Sequence, residues 1–353
     1  MATRQVSPGS SVAAAINSSA PGDAVMLRGG GTHGGFRVEK PGVRIYGENP
    51  DVEVSGHVYV TSVADETEID HLVLLNGGNT GRTNPTVDAT DLHLHHCVVD
   101  NQNKSIALHL GGNATSLAAS RALIEHNVFR NVGRKPWTNY DHAIYLKWAD
   151  DAIIRHNQFL NGGDYAVHFW GGWSRRTQVY NNYADGTWAG FTIMGGNSAG
   201  GSDDAEYYKN IVTGPPRSGR QVFYGYTSGW TGSKSMVREN LLVGNGPHLM
   251  AAGNPFYDFS ANLTGDPRIV NGKITNPAFL GFGPGSMQSG PTPPPDPDPP
   301  EEEPGDCTEV RAQLEAARVQ IDNLEGELAD AARESSADKA ALEQIRIAAA
   351  GRL

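Results

Sequence analysis

An asparagine returns along the middle of this chain at intervals of 30, 25, 28, 30 and 22 residues, each time inside the same short frame. The frame is an apolar residue, two variable residues, Asn, then further apolar residues. It reads Ile124-Glu125-His126-Asn127-Val128-Phe129 and Ile154-Arg155-His156-Asn157-Gln158-Phe159, then Val179-Tyr180-Asn181-Asn182-Tyr183. Tyr207-Tyr208-Lys209-Asn210-Ile211, Val237-Arg238-Glu239-Asn240-Leu241 and Phe259-Ser260-Ala261-Asn262-Leu263 continue it, and Leu94-His95-His96-Cys97-Val98 carries Cys in the Asn slot. A repeat of this length is one supersecondary unit stacked on its neighbours. No helical periodicity lies between the Asn residues, which argues against an α-solenoid, and the Leu pattern is too sparse for leucine-rich repeats. Short strands joined by turns of variable length remain: an all-β parallel β-helix with one coil per repeat. In that fold each Asn amide can hydrogen-bond the Asn above and below, and Asn tolerates the left-handed backbone of a tight bend. Its role is therefore structural.

A second register runs between the Asn positions. It comprises Ala107-Leu108-His109-Leu110-Gly111, Ala143-Ile144-Tyr145-Leu146-Lys147, Ala166-Val167-His168-Phe169-Trp170, Gly190-Phe191-Thr192-Ile193-Met194 and Val222-Phe223-Tyr224-Gly225-Tyr226. Strand side chains alternate between faces, so the large apolar second and fourth residues point to the core and the third and fifth point outward. Stacked, the outward residues form the columns His109, Tyr145, His168, Thr192, Tyr224 and Gly111, Lys147, Trp170, Met194, Tyr226. Aromatic rings with polar edges suit sugar rings, so His109, Tyr145, Trp170, Thr192, Tyr224 and Tyr226 are candidate carbohydrate-binding residues. The alternative is that a long loop or a neighbouring subunit covers the strip.

Beside it, Asp141 and Asp164 occupy equivalent positions on adjacent coils. Such a pair could be the acid and nucleophile of a retaining glycosidase. It could hold Ca2+ through hard oxygens, or the two could be turn residues bonding backbone N–H groups. A lyase would need a base beside a uronate carboxylate, and His142, Lys147, His168 or Tyr145 could serve. Asp141, His142, Lys147, Asp164 and His168 are thus the candidate catalytic set, for a polysaccharide lyase or a glycoside hydrolase. Asp150-Asp151 and Asp203-Asp204 read as solvated loop tips.

The ends of the chain have other jobs. Ser10 or Ser11 can cap a short helix through Ile16, which would close the first coil. From Pro284 to Asp306, nine of 23 residues are Pro, six are acidic and none is basic, a composition that forms an extended spacer. After it, Val310, Leu314, Ala317, Ile321, Leu324, Leu328, Ala331, Leu342 and Ile345 follow the alternating spacing of a helix that self-associates as a coiled coil. The expected organisation is a β-helix with its cap over 1–283, a linker over 284–306 and an oligomerisation segment over 307–353. A net charge of −11 disfavours nucleic acid as a partner. No apolar run is long enough for a membrane span. No basic segment followed by an apolar stretch marks a secretory signal, so release by cell lysis is the expected route. Cys97 reads as a small core residue, and Cys307 lies just before the coiled coil.

The opening of the chain, with Ala13-Ala14-Ala15-Ile16, Pro21-Gly22-Asp23, Gly30-Gly31-Thr32 and Ile45-Tyr46-Gly47, resembles the pectate-lyase-like right-handed parallel β-helix superfamily. So does Asp141-His142-Ala143-Ile144-Tyr145-Leu146 followed by Ile154-Arg155-His156-Asn157. The resemblance covers about residues 8 to 283 and is specific for fold; members include lyases, hydrolases, epimerases and non-enzymatic spikes. No complete catalytic set of one lyase family is matched. The whole arrangement resembles a bacteriophage minor tail protein of the tail-tip or tail-spike kind. That resemblance implies a trimer, other tail proteins as partners, a place in the virion tail, and contact with host-envelope polysaccharide.

Overall fold

The asparagines form a continuous internal ladder. In the computed structural model Asn157 Oδ1 accepts from the backbone N–H of Asn127 at 3.0 Å and from its Nδ2 at 3.1 Å. Asn157 Nδ2 donates in turn to Asn182 Oδ1 at 3.1 Å and to Ile124 O at 2.8 Å. The same pattern joins Asn182 to Asn210, Asn210 to Asn240 and Asn240 to Asn262. Asn127, Asn157, Asn182, Asn210 and Asn240 are buried, so each amide satisfies groups that water cannot reach. The left-handed residue of each bend is the one before the Asn, contrary to the expectation for Asn itself. His96, His126, His156, Asn181, Lys209, Glu239 and Ala261 have φ between 51° and 56°. The ladder residue keeps an ordinary backbone and turns its amide inward, while its predecessor takes the bend and points out.

The structure describes residues 1–76, 84–112, 114, 116–134, 141–163, 165–169, 172–185, 190–194, 202–213, 223–226, 235–243 and 257–288, with the backbone alone for 190–194, 223–226, 257 and 259. The chain divides after residue 290 into two units, and all the described residues lie in the first. The coiled-coil positions Val310, Leu314, Ile321, Leu324, Leu328, Leu342 and Ile345 fall outside them, as do Cys307, Asp164 and Trp170. Packing continues past residue 283: Met287 is buried against Ile211, Leu241 and Ile274.

Among the described residues, three parallel sheets of eleven, eight and ten strands run the length of the first unit. From Ala24–Leu27 to Phe223–Tyr226 each coil contributes one strand to each sheet in turn, an arrangement consistent with a right-handed parallel β-helix. Sheet 1 begins with Thr3–Val6 and ends with Tyr257–Ser260. Sheet 2 runs from Arg37–Val38 to Phe223–Tyr226, and sheet 3 from His33–Gly34 to Leu263–Thr264. Cα register places Val25, Ile45, Ile69, Leu94, Ile124, Ile154, Val179, Tyr207 and Val237 in one inward column of sheet 1. All are fully buried or nearly so. Sheet 3 adds Leu74, Val99, Phe129 and Phe159, the two rings stacked at 5.3 Å. Like side chains therefore stack on like along the axis, and the core is a linear column.

The first coil is closed as expected. A helix over Val12–Asn17 is capped by Ser11, whose Oγ accepts from Ala14 N at 3.1 Å, and it buries Val12 and Ile16. Cys97 lies in the core; burial pushes its thiol up to about 12, so it stays protonated and inert. Asp150 departs from the solvated tip its sequence suggests. It is buried, with Arg175 donating to it from the backbone N at 2.7 Å and from Nη2 at 2.6 Å. The guanidinium comes from the next coil, 25 residues on, which is why local sequence did not reveal the pair. No helix among the described residues is long and apolar enough to cross a membrane.

Candidate functional site

Sheet 2 carries an outward column in continuous register: Arg37, Tyr59, Thr86, His109, Tyr145 and His168. Its inward neighbours Val38, Val60, Val87, Leu110, Leu146 and Phe169 are buried, so strand alternation fixes the outward direction of the column. The sequence register found only its later members. Arg37, Tyr59 and Thr86 were missed because their strands are two residues long and lack the five-residue apolar frame. Their signal is the alternation in Val58-Tyr59-Val60 and in Phe36-Arg37-Val38.

The early half of the column, with Arg37 exposed, Tyr59 half-buried and Thr86 buried, is bound together by polar contacts. The Arg37 guanidinium carbon lies 4.6 Å from the centre of the Tyr59 ring. The His57 ring stacks on Tyr59 at 5.9 Å, and His57 Nε2 meets Thr86 Oγ1 at 3.0 Å. Tyr59 Oη donates to Asp88 Oδ2 at 2.7 Å. Beside these residues opens a pocket of about 400 Å³, lined by Tyr59, Asp65, Asp88, Thr90, Ser116 and Leu117, among others. Its lining includes carboxylates, hydroxyls and one aromatic ring, and Leu117 is 47% exposed. That mixture fits a sugar ring, which offers hydroxyls at its rim and C–H groups on its faces.

The later half closes toward its end, with His109 and Tyr145 half-buried and His168 buried. His109 meets the edge of Tyr145 at 4.7 Å, Tyr145 stacks on His168 at 5.2 Å, and His168 stacks on His142 at 3.9 Å. His168 is only 6% exposed and His142 only 1%, so the expected open strip does not extend to them. Alternation sets the direction of a side chain but not what lies over it. His109 is held neutral: burial pushes it down to about 4, Lys147 pushes the same way, and Asp88 pulls back. Among the described residues its buried Nε2 has no hydrogen-bond partner.

The proposed catalytic carboxylates have other surroundings. Asp141 is 1% exposed, and Arg134 donates to both of its oxygens, from Nε at 3.1 Å and 3.2 Å and from Nη2 at 3.0 Å. The Arg134 backbone N–H adds a fourth bond at 3.0 Å. A Ca2+ ion or a reacting sugar would have to displace that guanidinium. Asp164 lies outside the described residues, so the Asp141–Asp164 pair rests on sequence. Lys147 follows the strand over Ile144–Leu146, two residues past Tyr145, and is half-buried. Thr192 pairs with Tyr224, and Met194 with Tyr226, across the last two strands of sheet 2, where only the backbone is described. Arg155 belongs to sheet 1, bound to Glu125 and Tyr180, away from this column.

No protein-family model matches the chain, and no curated protein matches it. Solved structures do. One is an alginate lyase from Paenibacillus sp. str. FPU-7, at 14% identity and a TM-score of 0.49, covering 74% of this chain and 99% of that one. Another is a tailspike protein double mutant of E. coli bacteriophage HK620 in complex with pentasaccharide, at 10% identity and a TM-score of 0.42, covering 75% of this chain and 59% of that one. A third is the PL6 family alginate lyase AlyGC, at 14% identity and a TM-score of 0.36, covering 74% of this chain and 51% of that one. The class defined by the sheets themselves is the parallel β-helix, and at these identities the likeness is one of fold.

Proposed function

We propose that the outward face of sheet 2 recognises a polysaccharide. The observation that carries this reading is the in-register run Arg37, Tyr59, Thr86, His109, Tyr145, in which Arg37 is exposed, Tyr59, His109 and Tyr145 are half-buried and Thr86 is buried, with the pocket at Tyr59 and Asp88 opening beside it. Five strands at about 4.8 Å span about 19 Å, enough for several sugar rings. The ligand is a host-envelope glycan, and the chain is a structural and recognition component of a phage tail, of the tail-tip or tail-spike kind. Support for that finer role comes from the sequence. A Pro-rich acidic linker leads to a heptad-like segment, which would gather copies, three by resemblance, and fix them among other tail proteins.

The test is binding of full-length protein to purified envelope polysaccharides of candidate hosts, against Tyr59→Ala and Tyr145→Ala variants. Binding that falls at least about tenfold in both supports the reading. Binding by wild type and variants alike would remove the column from it.

A second reading is a depolymerase. Neutral His109 stands edge-on to Tyr145 and is flanked by Lys147, which supplies a proton acceptor, a hydroxyl and a cation in one patch. A lyase would release unsaturated, ultraviolet-absorbing ends that disappear in His109→Asn, and a hydrolase would release reducing ends without that absorbance. Neither product across a broad glycan panel would leave recognition alone.

A further inference from the structure

Away from the sugar-binding face, the outer side of sheet 1 concentrates histidine. His93 and His95 alternate with core Leu94 on one strand over His93–His95, so both rings leave the same face and stack at 4.0 Å. On the preceding coil Glu68 stands in register with His93, and its Oε1 meets His95 Nε2 at 3.0 Å. One ligand atom from each of Glu68, His93 and His95 can be chosen so that all lie within 4.8 Å of one another. The side chains of His93 and Glu68 are 35% and 34% exposed and that of His95 12%, so an ion can reach them from solvent.

We propose that Glu68, His93 and His95 bind a divalent first-row transition metal such as Zn2+, bridging two adjacent coils. Two imidazoles and a carboxylate are a recurrent zinc set, with ligand distances of about 2.0–2.2 Å. Tetrahedral ligands at that distance are about 3.3 Å apart. The 3.0 Å His95–Glu68 contact already matches, and drawing His93 in takes a side-chain rotation on the surface.

The surroundings orient the same set. A neutral His95 bound through Nε2 carries its proton on Nδ1, and His96 Nδ1 lies 2.8 Å away to accept it. Arg44 Nε lies 3.2 Å from Glu68 Oε1 and would hold the carboxylate in place. Glu125 Oε1, 3.0 Å from His93 Nε2, is available as a fourth ligand or as the acceptor that orients His93. The nearby carboxylates of Glu68, Asp70 and Glu125 outnumber the guanidiniums of Arg44 and Arg155 that pair with them, so the local charge favours a cation.

The experiment is calorimetric titration of untagged full-length protein, stripped with chelator, with ZnCl2. One equivalent should bind, and His93→Ala, His95→Ala and Glu68→Gln should each weaken it at least about tenfold. His96→Ala should weaken it less. A separate measurement needs no variant: anomalous scattering at the zinc edge from soaked wild-type crystals should give a peak between the three side chains. No saturable binding, affinity unchanged in the His93→Ala/His95→Ala double variant, or a peak elsewhere overturns the proposal.

Discussion

The Asn ladder and the sheet 2 column run along the same solenoid, yet they are built on opposite logic. Along the ladder every coil from Asn127 to Asn262 repeats one side chain with one set of partners. Along the column no side chain repeats between adjacent coils: Arg37, Tyr59, Thr86, His109, Tyr145 and His168 follow one another. Identical residues can satisfy each other's buried amides indefinitely, so repetition serves stability. A surface that reads a ligand needs different groups at different heights, so variety serves recognition. With the column in its proposed recognition role, the β-helix separates the two tasks onto different parts of each coil.

The largest effect expected from this contrast is in the ladder. Asn157→Ala removes the acceptor of the Asn127 backbone N–H and the donors to Ile124 O and Asn182 Oδ1, all buried. Leaving such groups unpaired should cost roughly 3–5 kcal/mol, read as a lowered urea midpoint with glycan affinity unchanged in whatever folds. A loss no larger than that of Tyr145→Ala would mean the ladder is ornamental.

The next effect tests the column through acid. His109 has a folded pKa of about 4, below its unfolded value of 6.5. Between those values the unfolded chain binds the extra proton, so stability is full above pH 6.5 and falls as pH drops toward 4. The loss is up to about 3 kcal/mol for this one group. His96, also held at about 4 by burial and then by neighbouring histidines, titrates in the same window. The diagnostic is therefore a difference: His109→Asn should unfold with a shallower pH dependence between 4 and 6.5 than wild type. Parallel curves would show that the ring is solvated.

A smaller effect separates the two regions from the other side. Tyr59→Ala deletes the ring under Arg37 and the donor to Asp88. It should weaken glycan binding about tenfold, or about 1.4 kcal/mol. Because Tyr59 is only half-buried, the urea midpoint should move far less than for Asn157→Ala. Equal effects on folding and binding would erase the division of labour.

This division also governs what the sequence disclosed. The ladder was legible because one side chain does one job at one slot, and stacked coils demand it again at the next. The bend beside it was not, because His, Asn, Lys, Glu and Ala all serve there and share only the lack of β-branching that a positive φ requires. The column was half legible. Alternation in Leu108-His109-Leu110 and Ile144-Tyr145-Leu146 gave its direction, but the two-residue strands at Arg37, Tyr59 and Thr86 carry too little pattern to register. The burial of His142, His168 and Asp150 depends on partners many residues away, which no local window contains.

The smallest effect is a gain, and it tests the ladder where the sequence breaks it. Cys97 occupies the first slot; its N–H donates to Asn127 Oδ1 at 2.9 Å, as an Asn would. Its Sγ lies 3.7 Å from Ile69 O, where later coils place an amide nitrogen, and it accepts weakly from the Leu72 backbone N–H. Cys97→Asn would put Nδ2 on Ile69 O and Asn127 Oδ1, and Oδ1 on the Leu72 N–H, extending the ladder by one rung. Exchanging weak thiol contacts for amide bonds at a buried site should stabilise by about 0.5–1.5 kcal/mol, provided the larger side chain fits. A raised midpoint in Cys97→Asn, set beside a lowered one in Cys97→Ala, would show that the slot selects hydrogen bonding. A loss in both would show that the first rung is set by the volume of the core beneath it, and that the ladder begins at Asn127 for reasons of packing.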